Sequence, residues 1–205
     1  MITIVDYGVG NLFSLKSSFA KIGIETEVTG DKTKIQNAER IILPGVGAFG
    51  AASDKLKETG LFDVVKEEAK KGKYLMGICL GMQLLLEKGF EYGEYEGLGL
   101  IKGEVRPISE TIEPGLKIPQ IGWNALKFEN GKSPIFKYIN EGDCVYFVHS
   151  YHGMNVGQDL IATTEYGGIL TAAVGHDNIF GCQFHPEKSG NVGLNILKAF
   201  NELEY

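Results

Sequence analysis

Blocks of strand length and helix length alternate from the start of this chain. Residues 2–6 form a short β-rich run. The Gly-rich turn Tyr7-Gly8-Val9-Gly10-Asn11 behind it predicts a helix that runs to about Lys21, with Gly23 as its stop. Residues 25–29 read as a second strand and 40–43 as a third, which ends at Pro44-Gly45-Val46-Gly47. A helix is expected over roughly 54–71. Residues 74–78 are apolar on both faces, as in a central parallel strand covered by helices. An apolar helix at 82–87 follows, and then 89–103, rich in glycine and acidic residues, reads as a long excursion. Short strands dominate beyond it, at 105–108, 124–128, 144–149, 161–164, 170–175 and 179–184. An amphipathic helix over about 189–203 closes the pattern, with Val192, Leu194, Ile196, Leu197, Phe200 and Leu203 on its buried face. The order predicts an α/β fold: one open, mainly parallel twisted sheet flanked by helices, with a partly antiparallel extension.

Composition narrows this without changing it. At 205 residues, 43% hydrophobic and 22% charged, the chain suits one domain over 1–205 with one core. No apolar run approaches a membrane span, and the first residues read as a strand where a secretory leader would be basic and then apolar, so a cytoplasmic protein is expected. A net charge of −6 with no basic run excludes a nucleic-acid partner. Cys79, Cys144 and Cys182 are odd in number and widely spaced, which argues against a disulfide framework and against a metal site. Cys144 and Cys182 sit in apolar strand patterns and are expected in the core. His149, His152 and His176 have no metal-ligand spacing, and the alternating charges from Lys66 to Lys73 read as a solvated helix face.

Candidate chemistry gathers at two places. In Gly77-Ile78-Cys79-Leu80-Gly81, small residues flank a cysteine at the end of the buried strand, where a sharp strand-to-helix turn would lift the sulfur clear of the backbone. A helix N-terminus and a nearby imidazole make such a thiol nucleophilic. Downstream, Phe184-His185-Pro186-Glu187 places a carboxylate two residues after a histidine. In an extended chain these point to one side, so Glu187 can orient His185. Together they predict a Cys79, His185, Glu187 triad. Its oxyanion would be held by the N–H of Leu80 and by the glycine-rich turn at Gly45, Val46 and Gly47. Gly8-Val9-Gly10 resembles the start of a dinucleotide fingerprint, but the third glycine position is Phe13, so no nucleotide site is expected.

These two segments, extended to Gly77 through Gln83 and Gln183 through Glu187, resemble the class I, triad-type glutamine amidotransferases over essentially the whole chain. Asp6 through Leu12, Pro119-Gln120-Ile121-Gly122-Trp123-Asn124 and Lys188-Ser189-Gly190 are similar to the glutaminase subunits of imidazole glycerol phosphate synthases. The resemblance implies hydrolysis of glutamine through a glutamyl thioester on Cys79, without cofactor or metal. It implies that Gln83, Ser150 and Tyr151 bind the substrate and that Glu91 meets its ammonium group. It further implies a heterodimer with a cyclase subunit, a (βα)8 barrel that consumes the ammonia, docked over Asn11, Trp123, Asn124 and Lys188. The family commonly has histidine at the place of Gln120, which keeps open a paralogous amidotransferase serving another synthase, for instance one amidating a surface sugar. A stand-alone γ-glutamyl or peptide hydrolase would need the same triad and no partner.

Overall fold

The computed structural model describes residues 1–204. In chain order its first part contains β1 (Ile2–Val5), α1 (Leu12–Lys21), β2 (Thr26–Thr29), α2 (Lys32–Gln36), β3 (Arg40–Leu43), α3 (Phe49–Glu58), α4 (Leu61–Lys70), β4 (Tyr74–Ile78) and α5 (Leu80–Leu85). Short strands follow: β5 (Lys88–Gly89), β6 (Tyr95–Glu96), β7 (Glu104–Pro107), β8 (Gln120–Ala125), β9 (Lys127–Phe128), β10 (Cys144–His149) and β11 (Tyr151–Met154). The chain then returns through β12 (Leu160–Glu165), β13 (Ile169–His176), β14 (Ile179–Cys182) and α6 (Gly190–Asn201).

The main sheet runs β2-β1-β3-β4-β14-β13-β12-β9, and its first five strands are parallel. The last three continue it antiparallel, as the α/β pattern with an extension predicts. The parallel part has the strand order of doubly wound sheets, where ligands bind outside the carboxyl ends of the strands. Period-two alternation divides the apolar residues between two layers. Ile2, Ile4, Ile42 and Met76 face Leu15 and Phe19 of α1 and Ile196, Leu197 and Phe200 of α6. Val5, Ile41, Leu43 and Leu75 face the other layer, built from α2 to α5 around Ile35, Leu56, Val65 and Leu84. Two smaller sheets, β10-β8 and β11-β7-β5-β6, flank the C-terminal edge.

Several expectations are corrected. The helix expected over 54–71 is two, α3 and α4, because Gly60 turns left-handed at φ +68° between them. Helix α2 was not anticipated, although Asp31 caps it by accepting from the Lys34 N–H at 3.1 Å. The strand at 124–128 is two segments in different sheets: β8 pairs with β10, and β9 pairs with β12. Strand β11, with Gly153 in its middle, lacks an intrinsic β signal and forms by pairing with β7. Val192 and Leu194 are only half-buried. Cys144 is exposed: β10 buries Val145, Phe147 and His149, so the alternate positions, starting with Cys144, point outward. Cys182 is buried, as expected.

The charged stretch on α4 is not uniformly solvated either. The Glu68 side chain is 7% exposed, with Lys71 Nζ at 2.7 Å and Lys73 Nζ at 2.8 Å. Lys73 also donates to the carbonyls of Ile35 and Gln36, so one carboxylate ties α4 to the end of α2. Replacing Glu68 by Gln is expected to lower unfolding stability by about 1.5–3 kcal/mol, the range for losing hydrogen bonds to charged groups. Urea titration checks this: the midpoint should fall at unchanged slope. An unmoved midpoint means that the pair contributes nothing.

Candidate active site

Three adjacent parallel strands deliver the candidate residues to one edge. β3 runs into Pro44–Gly47, β4 into Cys79, and β14 continues through Gln183 to His185. Cys79 is an elbow, with φ +54° and ψ −110°, a conformation that side-chain-bearing residues rarely adopt. Its N–H donates to the Cys182 carbonyl at 2.7 Å, and its own carbonyl accepts from Gln83 N–H at 3.2 Å, so the turn is fixed from both sides. Glycine permits it. A Cβ on Gly81 would collide with the Leu43 carbonyl, and one on Gly45 would lie 2.9 Å from both the Gly81 nitrogen and the Leu80 Cβ. The first turn of α5 therefore sits directly on the loop that leaves β3.

His185 Nδ1 lies 2.8 Å from Glu187 Oε1, and both side chains are almost fully buried. The contact does not arise from an extended chain. Residues Pro186–Lys188 form a 3-10 turn that brings the carboxylate back over the ring. The His185 N–H donates to the Tyr146 carbonyl at 2.9 Å, and Ser189 Oγ donates to the His185 carbonyl at 2.6 Å, which locks the turn against β10. With Nδ1 engaged by Glu187, the other ring nitrogen is left for Cys79. Burial opposes a charge on His185, but hydrogen bonds to Cys79 and Glu187, and their negative charge, outweigh it and hold the imidazole up at about 9. The ring is thus poised to take and keep the thiol proton.

Around Cys79 lies a cleft of about 410 Å3, the size range of small-molecule sites. Of the predicted residues, Val46, Gly47, Leu80, Gln83, Glu91, Ser150, Tyr151, His185 and Lys188 line it. Gly45 does not; it is buried behind the turn against Gly81. Leu80 opens α5, so its N–H has no partner within the helix. Gln83, one turn beyond Cys79, donates through Nε2 to the Tyr151 carbonyl and to Gln183 Oε1, both at 3.0 Å. Glu91 Oε2 accepts from the Phe49 N–H at 2.7 Å, which draws its carboxylate to the start of α3.

Outside the cleft, Trp123 is 55% exposed, and its ring meets Tyr146 edge-on at 6.0 Å. Lys188 Nζ lies over the same tyrosine ring at 5.8 Å, so Trp123 and Lys188 share one surface. Asn11 caps α1 through Ser14 N–H, and α1 packs on the Pro186–Lys188 turn. Asn124 differs: on β8 it alternates with Trp123 and turns inward to Gln120 and the Glu165 carbonyl.

Two contributors were missed in the sequence. The Tyr7 hydroxyl donates to the Pro44 carbonyl at 2.8 Å and so fixes the peptide that begins the glycine turn. Burial, and next the negative charge at Cys79, push its pKa up, so it remains a donor. Gln183 Nε2 approaches Cys79 Sγ at 3.8 Å. Neither pairing has a local sequence signal, because 37 and 104 residues separate the partners.

The family model for glutamine amidotransferase class-I matches residues 3–202. The chain belongs to the class I glutamine amidotransferases. Among relatives of this amidotransferase, the imidazole glycerol phosphate synthase subunit HisH of Lactococcus lactis subsp. lactis is 49% identical over 98% of both chains. The protein of the same name from Sulfurimonas denitrificans is 48% identical, again over 98% of both. In fold, the amidotransferase resembles a glutamine amidotransferase crystal structure with a TM-score of 0.75 at 19% identity, covering 98% of this chain and 100% of the other. PurLQS from Thermotoga maritima gives a TM-score of 0.75 at 21% identity, covering 98% and 96%. No helix among the described residues is long and apolar enough to cross a membrane.

The elevated His185 pKa makes a signed prediction for this amidotransferase. Cys79→Ala removes a hydrogen bond and negative charge while burial still opposes protonation, so the His185 pKa should fall below about 9. A ring-proton NMR titration measures it, and an unshifted value would break the Cys79–His185 link. Because the folded value of about 9 exceeds the ordinary 6.5, the stabilisation from His185 is complete below about pH 6.5 and is lost as pH rises through 9.

Proposed function

We propose that this chain is the glutaminase subunit of an imidazole glycerol phosphate synthase and that it acts in the cytoplasm as one glutaminase domain over 1–205. The observation that carries this reading is the alignment of Cys79, His185 and Glu187 at a strained elbow beside a glycine turn, in a chain nearly half identical to subunits of that name. His185 accepts the thiol proton and Cys79 Sγ attacks the side-chain amide carbon of glutamine. The amide oxygen takes up the electron pair, facing the Leu80 N–H and the turn at Val46 and Gly47. Collapse of this intermediate breaks the C–N bond, and the departing nitrogen takes the proton from His185 to leave as ammonia. Water, deprotonated by the same ring, then attacks the thioester and frees glutamate and the thiol. Glu187 stabilises the imidazolium in both halves, and Tyr7 holds the Pro44 end of the turn still.

Val46, 44% exposed at the cleft, would contact glutamine or shift to admit the oxyanion. Tyr151 and Ser150 form the opposite wall, while Glu91 and Gln83 face the amino acid end of the substrate. The partner is a (βα)8-barrel cyclase. Ile121 and Trp123, 61% and 55% exposed, project from the open face of the β8–β10 ribbon beside the cleft, an apolar surface suited to burial by another protein. Asn11, Trp123 and Lys188 would bound that contact, with the exposed Asn124–Glu165 bond at its margin, and ammonia would leave the cleft beneath it.

Cys79→Ala should abolish glutamine-dependent synthesis by the complex with the cyclase, whereas ammonium salts should still support it. Coupled assays with each nitrogen source give the answer. Glutamine-dependent turnover surviving in the variant defeats the thioester mechanism.

A further inference from the structure

A single file of polar side chains joins the floor of the cleft to the outer ribbon. The Tyr151 carbonyl lies 2.8 Å from His149 Nδ1, and His149 Nε2 lies 2.9 Å from Gln120 Oε1, an acceptor. Gln120 Nε2 in turn donates to Asn124 Oδ1 at 2.9 Å, and Asn124 Nδ2 donates to the Glu165 carbonyl at 3.0 Å. Gln83 and Gln183 carry the file from the same Tyr151 carbonyl towards Cys79 Sγ. Gln120 and Gln183 are fully buried, and Gln83 and His149 nearly so, which makes each of these bonds costly to leave unmade. The outer end, by contrast, is exposed.

The file contains a mismatch. Both of its ends are main-chain carbonyls, which only accept. Between them, a neutral imidazole and two carboxamides each offer one donor and one acceptor along the line. Such a line can donate to the carbonyl at one end but not at both, and at Tyr151 it would add a second donor to the one that Gln83 Nε2 supplies. An imidazolium would serve both, yet burial, reinforced by the charge on nearby His185 and only partly offset by the hydrogen bond to Tyr151, pushes His149 down to about 4. His149 is therefore neutral near pH 7, and two orders remain. In one, His149 Nδ1–H donates to Tyr151, the Gln120 amide donates to His149, and Asn124 donates to Gln120, which leaves two oxygens facing each other at Asn124 and Glu165. In the other, which the structure holds without a partner, every donor points the opposite way, the Asn124–Glu165 junction is matched, and the lone pair of Nδ1 faces the Tyr151 carbonyl. The orders differ by half-turns of the two carboxamides, which leave the packing outline unchanged, and by the tautomer of His149, whose proton passes from one ring nitrogen to the other by exchange with water.

We infer that Gln120 and His149 are positioning residues for the Ser150–Tyr151 wall of the cleft, and that a hydrogen-bond donor from the docked cyclase, bridging Asn124 and the Glu165 carbonyl, settles the file in the order that pins Tyr151. The inner mismatch is partly buried at the floor of the cleft, where His149 is 6% exposed. The outer junction is at the surface, where in the reversed order one ammonium or amide group would supply what both oxygens lack. A partner group at that point therefore reaches the substrate wall through three hydrogen-bonded junctions without any backbone displacement between. Gln120 suits the task because it presents one donor and one acceptor, and an imidazole in its place would do the same.

The inference rests on the glutaminase reading, and the experiment separates the two. Glutamine hydrolysis by the wild-type complex with cyclase, lost in Cys79→Ala, tests that reading alone. Gln120→Leu, similar in volume but unable to hydrogen-bond, should then raise the glutamine KM of the complex about fivefold, with kcat within about twofold, the consequence of roughly 1 kcal/mol of lost positioning. Gln120→His should restore KM to near the wild-type value. A direct readout needs no variant: 15N NMR of the His149 ring should show the Nδ1–H tautomer gaining population when cyclase is added. Unchanged KM in a folded Gln120→Leu complex overturns the inference. So does a His149 tautomer indifferent to the cyclase.

Discussion

The site depends on how closely the first turn of α5 can approach the end of β3. A peptide carbonyl at Leu43 and the backbone of Gly81 meet where no side chain could stand between them. That approach sets Cys79 beside the turn at Val46 and Gly47, and it obliges the chain to pass from strand to helix within one residue. The left-handed backbone of Cys79 is the geometric result. A conformation of this kind costs about 1–3 kcal/mol, and the buried bonds to Cys182 and Gln83 hold it in place. Moving the elbow away from β3 by even the radius of a methyl group would separate the sulfur from the turn at Val46 and Gly47.

The parallel core explains why the other functional groups come to the same edge. β14 joins the sheet next to β4, so the chain leaving it arrives beside Cys79 already carrying Gln183 and His185. The ensuing 3-10 turn, pinned to β10 by Tyr146 and Ser189, then presents Glu187. The antiparallel extension contributes differently. Its ribbon of β8 and β10 has one face on the core and one open, which puts His149 and Gln120 underneath the cleft while Trp123 and Tyr146 look outward.

Elements with a strong local signal were legible in the sequence: β3, β4 and β10 fall where the apolar runs place them, and the glycine frame and the His-Pro-Glu segment pick out Cys79, His185 and Glu187, which lie together at the strand ends. What was not legible depends on partners distant in the chain. Cys144 looks like a core residue within an apolar run, and only the pairing of β10 with β8 shows which alternate positions face out. Glu68 reads as one charge among many until α2 brings the Ile35 and Gln36 carbonyls to Lys73. Tyr7 gives no hint of its bond to Pro44, since the two residues meet only because β1 and β3 are neighbours.

Hydrophobic packing and polar matching have different consequences here. The two apolar layers fix where the strands lie, but they do not distinguish one hydrogen-bond direction from another beneath the cleft. That choice rests with His149, Gln120 and Asn124, whose donors and acceptors are set in a line between two carbonyls. In a fully apolar floor, the Tyr151 loop would have a single rest position determined by volume. A polar floor with one unmatched junction has two orders of similar packing, and such a pair responds to a single hydrogen bond at its exposed end. The mismatch is costly as stability and useful as a contact between surface and site, which is a physical reason for a buried polar file to persist where leucine would fit.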